Sequence, residues 1–195
     1  MSKRIIISVS SDLATDQRVQ KVAKSCHDRG YDVLLVGRFL KNSKKTSFPY
    51  NHKRFHLCFN HSFLFYAELN IRLFFFLLFS TCDILLSNDT DTLPANYYAA
   101  KLRGKKLVFD AHELFPEVPE LVNRQFVKKF WENIENHIFP KLKCSYTVCQ
   151  SIADYYNIKY GMKMTVIKNV PYLHQSIPKP EKKDFKTIIY QGALN

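Results

Sequence analysis

The chain has 195 residues, of which 46% are hydrophobic and 14% aromatic, and its formal net charge is +12 at pH 7. This composition can bury a sizeable core and excludes a wholly disordered chain. The charge favours polyanionic partners, but nucleic acid is not expected, because no helix-turn-helix, zinc or strand-borne aromatic pattern is present.

The N-terminal "MSKRIIISVSSD" runs straight from its apolar stretch into polar residues, so no signal peptide is expected. "RIIISV" (4–9) reads as a strand buried on both faces. A helix follows over 15–29, with Val19, Val22, Ala23 and Cys26 on one stripe, Thr15 or Asp16 as cap and Gly30 at its left-handed end. "DVLLVG" (32–37) is a second buried strand, and "KRFHLCF" (53–59) is a weaker candidate. Between them, residues 38–54 carry Arg38, Lys41, Lys44, Lys45, Lys53 and Arg54 and no acid. Eight of the sixteen phenylalanines lie between 55 and 79, and the most apolar run, "RLFFFLLF" (72–79), is too short to span a bilayer. This segment reads either as an interfacial helix beside the basic loop, docking on anionic lipid, or as a core crossover helix with Phe65, Leu69, Leu73 and Phe76 inward.

"DILLS" (83–87), "KLVFD" (106–110), "SYTVC" (145–149) and "MTVIK" (164–168) are further strands. The helices between them carry stripes at Ala95, Ala99 and Leu102, capped at Thr92 with Pro94 in the first turn, and at Val127, Phe130, Trp131, Ile134 and Ile138. "SIAD" (151–154) has the form of a capping box with Ser151 as cap. Repeated β-α alternation predicts an α/β, doubly wound, mainly parallel Rossmann-like sheet over residues 1–173. Residues 174–184, polar with Pro178 and Pro180, read as a linker, and 185–195 as the first strand of a further domain. The five cysteines form no CxxC pair and suit a reduced, cytoplasmic protein.

In such a sheet, ligands bind beyond the C-terminal strand ends. Those ends carry Ser10-Ser11-Asp12, Gly37-Arg38, Asn88-Asp89, Asp110 to Glu113, Gln150-Ser151 and Lys168-Asn169. Helix N-termini point to the same edge and favour anions such as phosphates. The chain lacks G-x-G-x-x-G after its first strand, a P-loop, a G-x-S-x-G elbow and the second histidine of HExxH. A usual dinucleotide fold, a P-loop NTPase, that hydrolase class and a zinc protease are therefore not expected.

"SSDLATDQRVQKVAKSCHDRGYDVLLVG", "LLSNDTDTLPANYYAAKLRGKKLVFDAHELFPE", "CSYTVCQSIADYYNIKYGMKMTVIKNVP" and "IIYQGALN", in that order, resemble the N-terminal half of GT-B fold glycosyltransferases, glycosyltransferase 4-like group. The resemblance implies two facing Rossmann-like domains. The N-terminal one holds the acceptor, and the C-terminal one grips a nucleotide-sugar donor. It implies hexosyl transfer with retention, as in polysaccharide biosynthesis, without metal or cofactor, the nucleotide sugar being a co-substrate. It further implies a chain inactive alone, with the donor-gripping residues elsewhere.

His112 is then expected near the transferred sugar, and Glu113 to accept hydrogen bonds from sugar hydroxyls or to orient His112. Asp110 is expected to cap its loop and Asp91 to cap a helix. Asp12, Arg18, Asn88, Asp89 and Asn169 are candidate substrate contacts, Arg18 towards a phosphate and Asn169 otherwise holding a turn. Arg38, Lys41, Lys44, Lys45, Lys53 and Arg54 are candidate contacts to an anionic membrane surface, which suits a peripheral protein on the inner face of the membrane and a glycan or lipid-linked acceptor. The alternative is a domain that binds a nucleotide or phosphosugar without chemistry.

Overall fold

The apolar runs at Arg4–Asp12 (β1), Asp32–Phe39 (β2), Ile84–Asn88 (β4) and Lys106–Ala111 (β5) pair side by side, because each must be covered on both faces. Asn51–His56 (β3), Ser145–Thr147 (β6) and Thr165–Val166 (β7) complete a seven-stranded sheet in the order β3-β2-β1-β4-β5-β6-β7. Every pairing is parallel. This computed structural model describes residues 2–118 and 123–171, so the readings for 174–184 and 185–195 lie outside the described residues. The order reverses between β1 and β4, which puts the topological switch point at the tips of those two strands. β6 and β7 are shorter than their apolar runs suggest, ending at Thr147 and Val166.

Among the described residues, Gln17–Asp28 (α1) packs Val19 and Ala23 on one face of the sheet. Ser62–Phe79 (α2), Asp89–Arg103 (α3), Gln125–Ile138 (α4) and Gln150–Tyr160 (α5) pack on the other. Asp16 caps α1 as expected, its carboxylate accepting from the Val19 N–H at 3.0 Å. Two other expected caps move. α3 begins at Asp89, three residues before Thr92, because Asp89 adopts a left-handed φ of +57° and turns the chain straight off β4. Asp91 thus lies inside the first turn rather than at the cap. α5 is capped at the Cys149 position, so Ser151 is helical, and Gln150 rather than Ser151 reaches Asp154, at 2.8 Å.

The Phe-rich segment is an 18-residue helix, more than twice the 72–79 run. Among the described residues it is the one helix long and apolar enough, by length and composition, to cross a membrane. It lies along the sheet instead, with Phe65, Leu69, Leu73 and Leu77 buried in the same core as Ile6, Val36 and Leu85. Leu77 takes the inward place expected of Phe76, because a straight i+4 step follows from Leu73.

The basic loop is also partly spent on the fold. The Arg38 guanidinium lies 4.6 Å above the Phe65 ring, and Lys53 lies 4.6 Å from Phe76. Arg54 stacks on Phe39 at 4.9 Å and bonds the Lys44 carbonyl at 3.0 Å. Lys41, Lys44 and Lys45 stay exposed.

Pro94 sits inside α3, where a proline ring disrupts the local hydrogen-bond ladder. The Asn70 side chain of α2 repairs it. Its amide donates to the Asp91 carbonyl at 2.7 Å and accepts from the Ala95 N–H at 3.1 Å, standing in for one i→i−4 bond. Ala95 and Asp91 are both buried, so without Asn70 two backbone groups lose their partner. Asn70→Leu is expected to lower stability by about 2–6 kcal/mol, from two unsatisfied buried groups at about 1–3 kcal/mol each. Urea unfolding measures the loss. Asn70→Asp, which keeps only the acceptor, should fall between the parent and Asn70→Leu.

Candidate functional site

The tips of β1, β4 and β5 meet at the switch point, and the polar residues read from the sequence gather there. Asp110, on β5, is fully buried. Burying a carboxylate requires compensation by opposite charge. Arg18, in the first turn of α1, supplies it with a 2.6 Å contact from Nη2 to Oδ1, so Asp110 anchors an ion pair rather than capping its own loop. The other carboxylate oxygen lies 3.0 Å from His112 Nε2, an approach off the N–H axis. On the far side of the ring, Nδ1 lies 3.2 Å from Asp89 Oδ2. Asp89 also accepts the His112 backbone N–H at 2.8 Å. The result is a row of alternating charge, Arg18–Asp110–His112–Asp89, running from α1 across β5 to the start of α3.

Asp89 serves both His112 groups from a left-handed backbone, a conformation aspartate tolerates better than most residues. Such positions cluster at functional sites. Burial pushes the Asp89 carboxyl up to about 7, against the pull of His112, with the charges of Asp91 and Asp110 adding to the rise. Burial also works against the His112 imidazolium, but the Asp110 contact and the charges of Asp89 and Asp110 outweigh it and hold the ring above its ordinary value. The pair therefore enters neutral pH still carrying a proton.

The other expected residues divide between framework and free groups. Asp12 is tied down: it accepts from the Ala14 N–H at 3.0 Å and from Ser43 at 2.6 Å, and Arg54 stands 3.8 Å away. Asn88 is buried, donating to the Ser8 carbonyl at 2.9 Å and so locking β4 to β1, while its Oδ1 has no partner among the described residues. Asn169 receives Lys21 Nζ at 3.2 Å, which pins the chain after β7 onto α1. Glu113 differs from all of these. It is exposed, and its carboxylate makes no hydrogen bond or ion pair among the described residues; only its backbone carbonyl is held, by the Tyr156 hydroxyl at 3.1 Å.

Beneath the rim lies a further buried acid that the apolar pattern did not reveal. Glu135 sits on the inward stripe of α4, four residues after Trp131, and bonds Tyr160 at 2.8 Å and Thr90 at 3.2 Å. Burial pushes its carboxyl up to about 7, although both hydrogen bonds pull down. Burial likewise raises Asp91 to about 6. The i+4 spacing from Trp131 was the available signal for Glu135. Among the described residues, no three His, Cys, Asp or Glu side chains group closely enough to hold a metal ion.

The sequence profile of Glycosyltransferase Family 4 matches residues 16–170, most of the chain and all of the rim beyond β1. No curated protein matches it by sequence. Among solved structures, sucrose-phosphate synthase from Thermosynechococcus elongatus superposes with a TM-score of 0.64 at 11% identity, over 85% of this chain and 48% of that one. Os79 from O. sativa, in complex with UDP, superposes at 0.59 with 10% identity, over 85% and 50%. Glycosyltransferase SsfS6 from Streptomyces sp. SF2575, complexed with thymidine diphosphate, does so at 0.50 with 11% identity, over 77% and 50%. The chain thus spans about half the length of these three proteins, and the likeness is one of fold.

Two outcomes are expected. Arg18→Met strands the Asp110 carboxylate and should cost about 3–5 kcal/mol in urea unfolding. Adding Asp110→Asn should recover much of that loss, since it removes the stranded charge. Secondly, Asp89, Asp91 and Glu135 rise from ordinary values of 3.8, 3.8 and 4.5 to about 7, 6 and 7. The folded chain then holds protons that the unfolded chain releases, so this stability is full at low pH and lost as pH climbs through the folded values. His112, also raised, acts in the same direction above its ordinary 6.5. The melting temperature should fall between about pH 5 and 8, and Glu135→Gln should flatten that fall.

Proposed function

Because the chain belongs to Glycosyltransferase Family 4 and has the fold of its N-terminal, Rossmann-like GT-B half, we propose that it is the acceptor-side domain of a retaining glycosyltransferase. In this reading it presents a hydroxyl of a glycan or lipid-linked acceptor to a sugar carried on a nucleoside diphosphate. The single observation that carries it is the Arg18–Asp110–His112–Asp89 row at the switch point of a family-matched sheet. The bound UDP of Os79 and thymidine diphosphate of SsfS6 support a nucleotide-sugar donor.

The residues take distinct parts. His112, clasped between two carboxylates, is held fixed at the rim, where its ring hydrogen-bonds and orients the transferred sugar. Arg18 and Asp89 act through His112 and Asp110 and are positioning residues. Glu113, whose carboxylate is unengaged among the described residues, accepts a hydrogen bond from the acceptor hydroxyl and orients it. The diphosphate of the donor is gripped by residues of the facing domain. No metal or cofactor takes part in this scheme. The protein works on the cytoplasmic side, where nucleotide sugars serve as co-substrates.

The test is transfer of radiolabelled sugar from UDP-, dTDP- and GDP-linked donors by the protein of the complete reading frame, with the product anomer read by NMR. Retention is expected, and the 195-residue chain alone should transfer a negligible amount. A hydrogen bond to a charged group is worth about 1.5–3 kcal/mol, so Glu113→Ala should lower kcat/KM about ten- to hundredfold. Its melting temperature should stay unchanged, as expected for an exposed residue. Inversion would overturn the retaining mechanism, and nucleotide binding without transfer by the complete protein would favour the non-catalytic binding domain.

A further inference from the structure

α2 is apolar around most of its circumference, yet only one of its sides meets the sheet. Phe65, Leu69, Leu73 and Leu77 are buried, while Ile71, Phe75 and Phe79 on the outer side are 59%, 52% and 81% exposed. A helix hydrophobic on nearly every side belongs in a core or against lipid. The exposed surface does not stop at α2. Tyr98 and Leu102 of α3 are 43% and 69% exposed, and they line a cleft of about 500 Å³ together with Ile71 and Phe75. A trough of about 470 Å³ continues from it through the shared residues Asn70, Pro94 and Tyr98 towards Phe63 and Trp131.

The border of this face is basic. Lys101 lines the α2–α3 cleft and also a cleft of about 710 Å³ at the N-terminal edge of the sheet. Ile84, Leu107 and Leu142 line this last cleft together with Lys105, Lys106, Lys141 and Lys143. No acidic residue lines any of these three clefts among the described residues.

We propose that the outer face of α2 and α3, with its lysine border, is a docking surface for an anionic lipid bilayer. Charge complementarity selects this occupant. A second copy packed face to face would bring like-charged lysine borders together, whereas anionic headgroups neutralise them. In-plane insertion of exposed aromatic and aliphatic side chains beside basic residues is how a helix lies on, rather than spans, a membrane. The inward stripe of α2 is committed to the sheet, which keeps the helix parallel to the surface. This places the contact away from the 38–54 loop, where Arg38, Lys53 and Arg54 are engaged by Phe65, Phe76, Phe39 and the Lys44 carbonyl.

Docking of this face does not require sugar transfer, so it can fail or hold independently of the proposed activity. The test is sedimentation of the 195-residue chain with phosphatidylcholine vesicles, with and without phosphatidylglycerol. Binding to the anionic vesicles alone, released by salt, is expected. Phe75→Glu/Phe79→Glu and Lys105→Glu/Lys106→Glu should each weaken it about tenfold or more. Circular dichroism should show both variants folded, because all the substituted side chains lie outside the buried core. Lys41→Glu/Lys44→Glu/Lys45→Glu should bind as the parent does. Absent binding, equal binding to neutral vesicles, or loss only in the 41–45 variant would overturn the proposal. So would a dimer in light scattering that Phe75→Glu/Phe79→Glu dissolves.

Discussion

A fully buried carboxylate, Asp110, sets the terms for the rim of this protein. A lone charge at that depth would drive either its own protonation or local unfolding. Arg18 on one side and His112 on the other prevent both, and His112 in turn needs Asp89. The row therefore ties α1, β5 and the start of α3 into one electrostatic unit. Its cost is local: a left-handed aspartate, and ionisable groups that hold their protons near neutral pH. What it provides is a histidine ring that cannot swing away from the crevice.

The same logic of compensation recurs deeper in the fold. Pro94 removes a helical hydrogen bond donor, and Asn70 from the neighbouring helix supplies a substitute pair. Glu135 is buried in an aromatic layer, and Thr90 and Tyr160 satisfy it. Both repairs converge on α3, the helix that begins at Asp89. The start of the helix that orients His112 is thus braced by α2 on one side and by α4 and α5 on the other.

Much of the fold was legible. Continuous apolar runs separated by striped helices led to a parallel, doubly wound sheet, because only strands covered on both faces can be apolar throughout. Asp16 and Gly30 marked the ends of α1 through local chemistry. Thr92 and Ser151 misled for a shared reason. A capping residue is a local preference, and at both places the helix had already begun upstream of it. The basic loop was legible as charge but not as packing: counting charge along the chain could not show that Phe39, Phe65 and Phe76 would come within reach of its arginines and a lysine.

For the candidate site, the amino-acid order by itself determined which residues reach the rim. In a parallel sheet every strand delivers its C-terminal neighbours to one edge, so Asp12, Asp89 and His112 share it by topology alone. Which of them are engaged and which are free was decided only in three dimensions. Arg18 and Asp110 are 92 positions apart, and His112 and Asp89 23. Their pairing follows from strand order and from one unusual backbone angle, and local sequence carries neither. Among the described residues, the unengaged carboxylate of Glu113 and the uncovered side of α2 emerge in the same way, as what remains once tertiary packing has taken its partners.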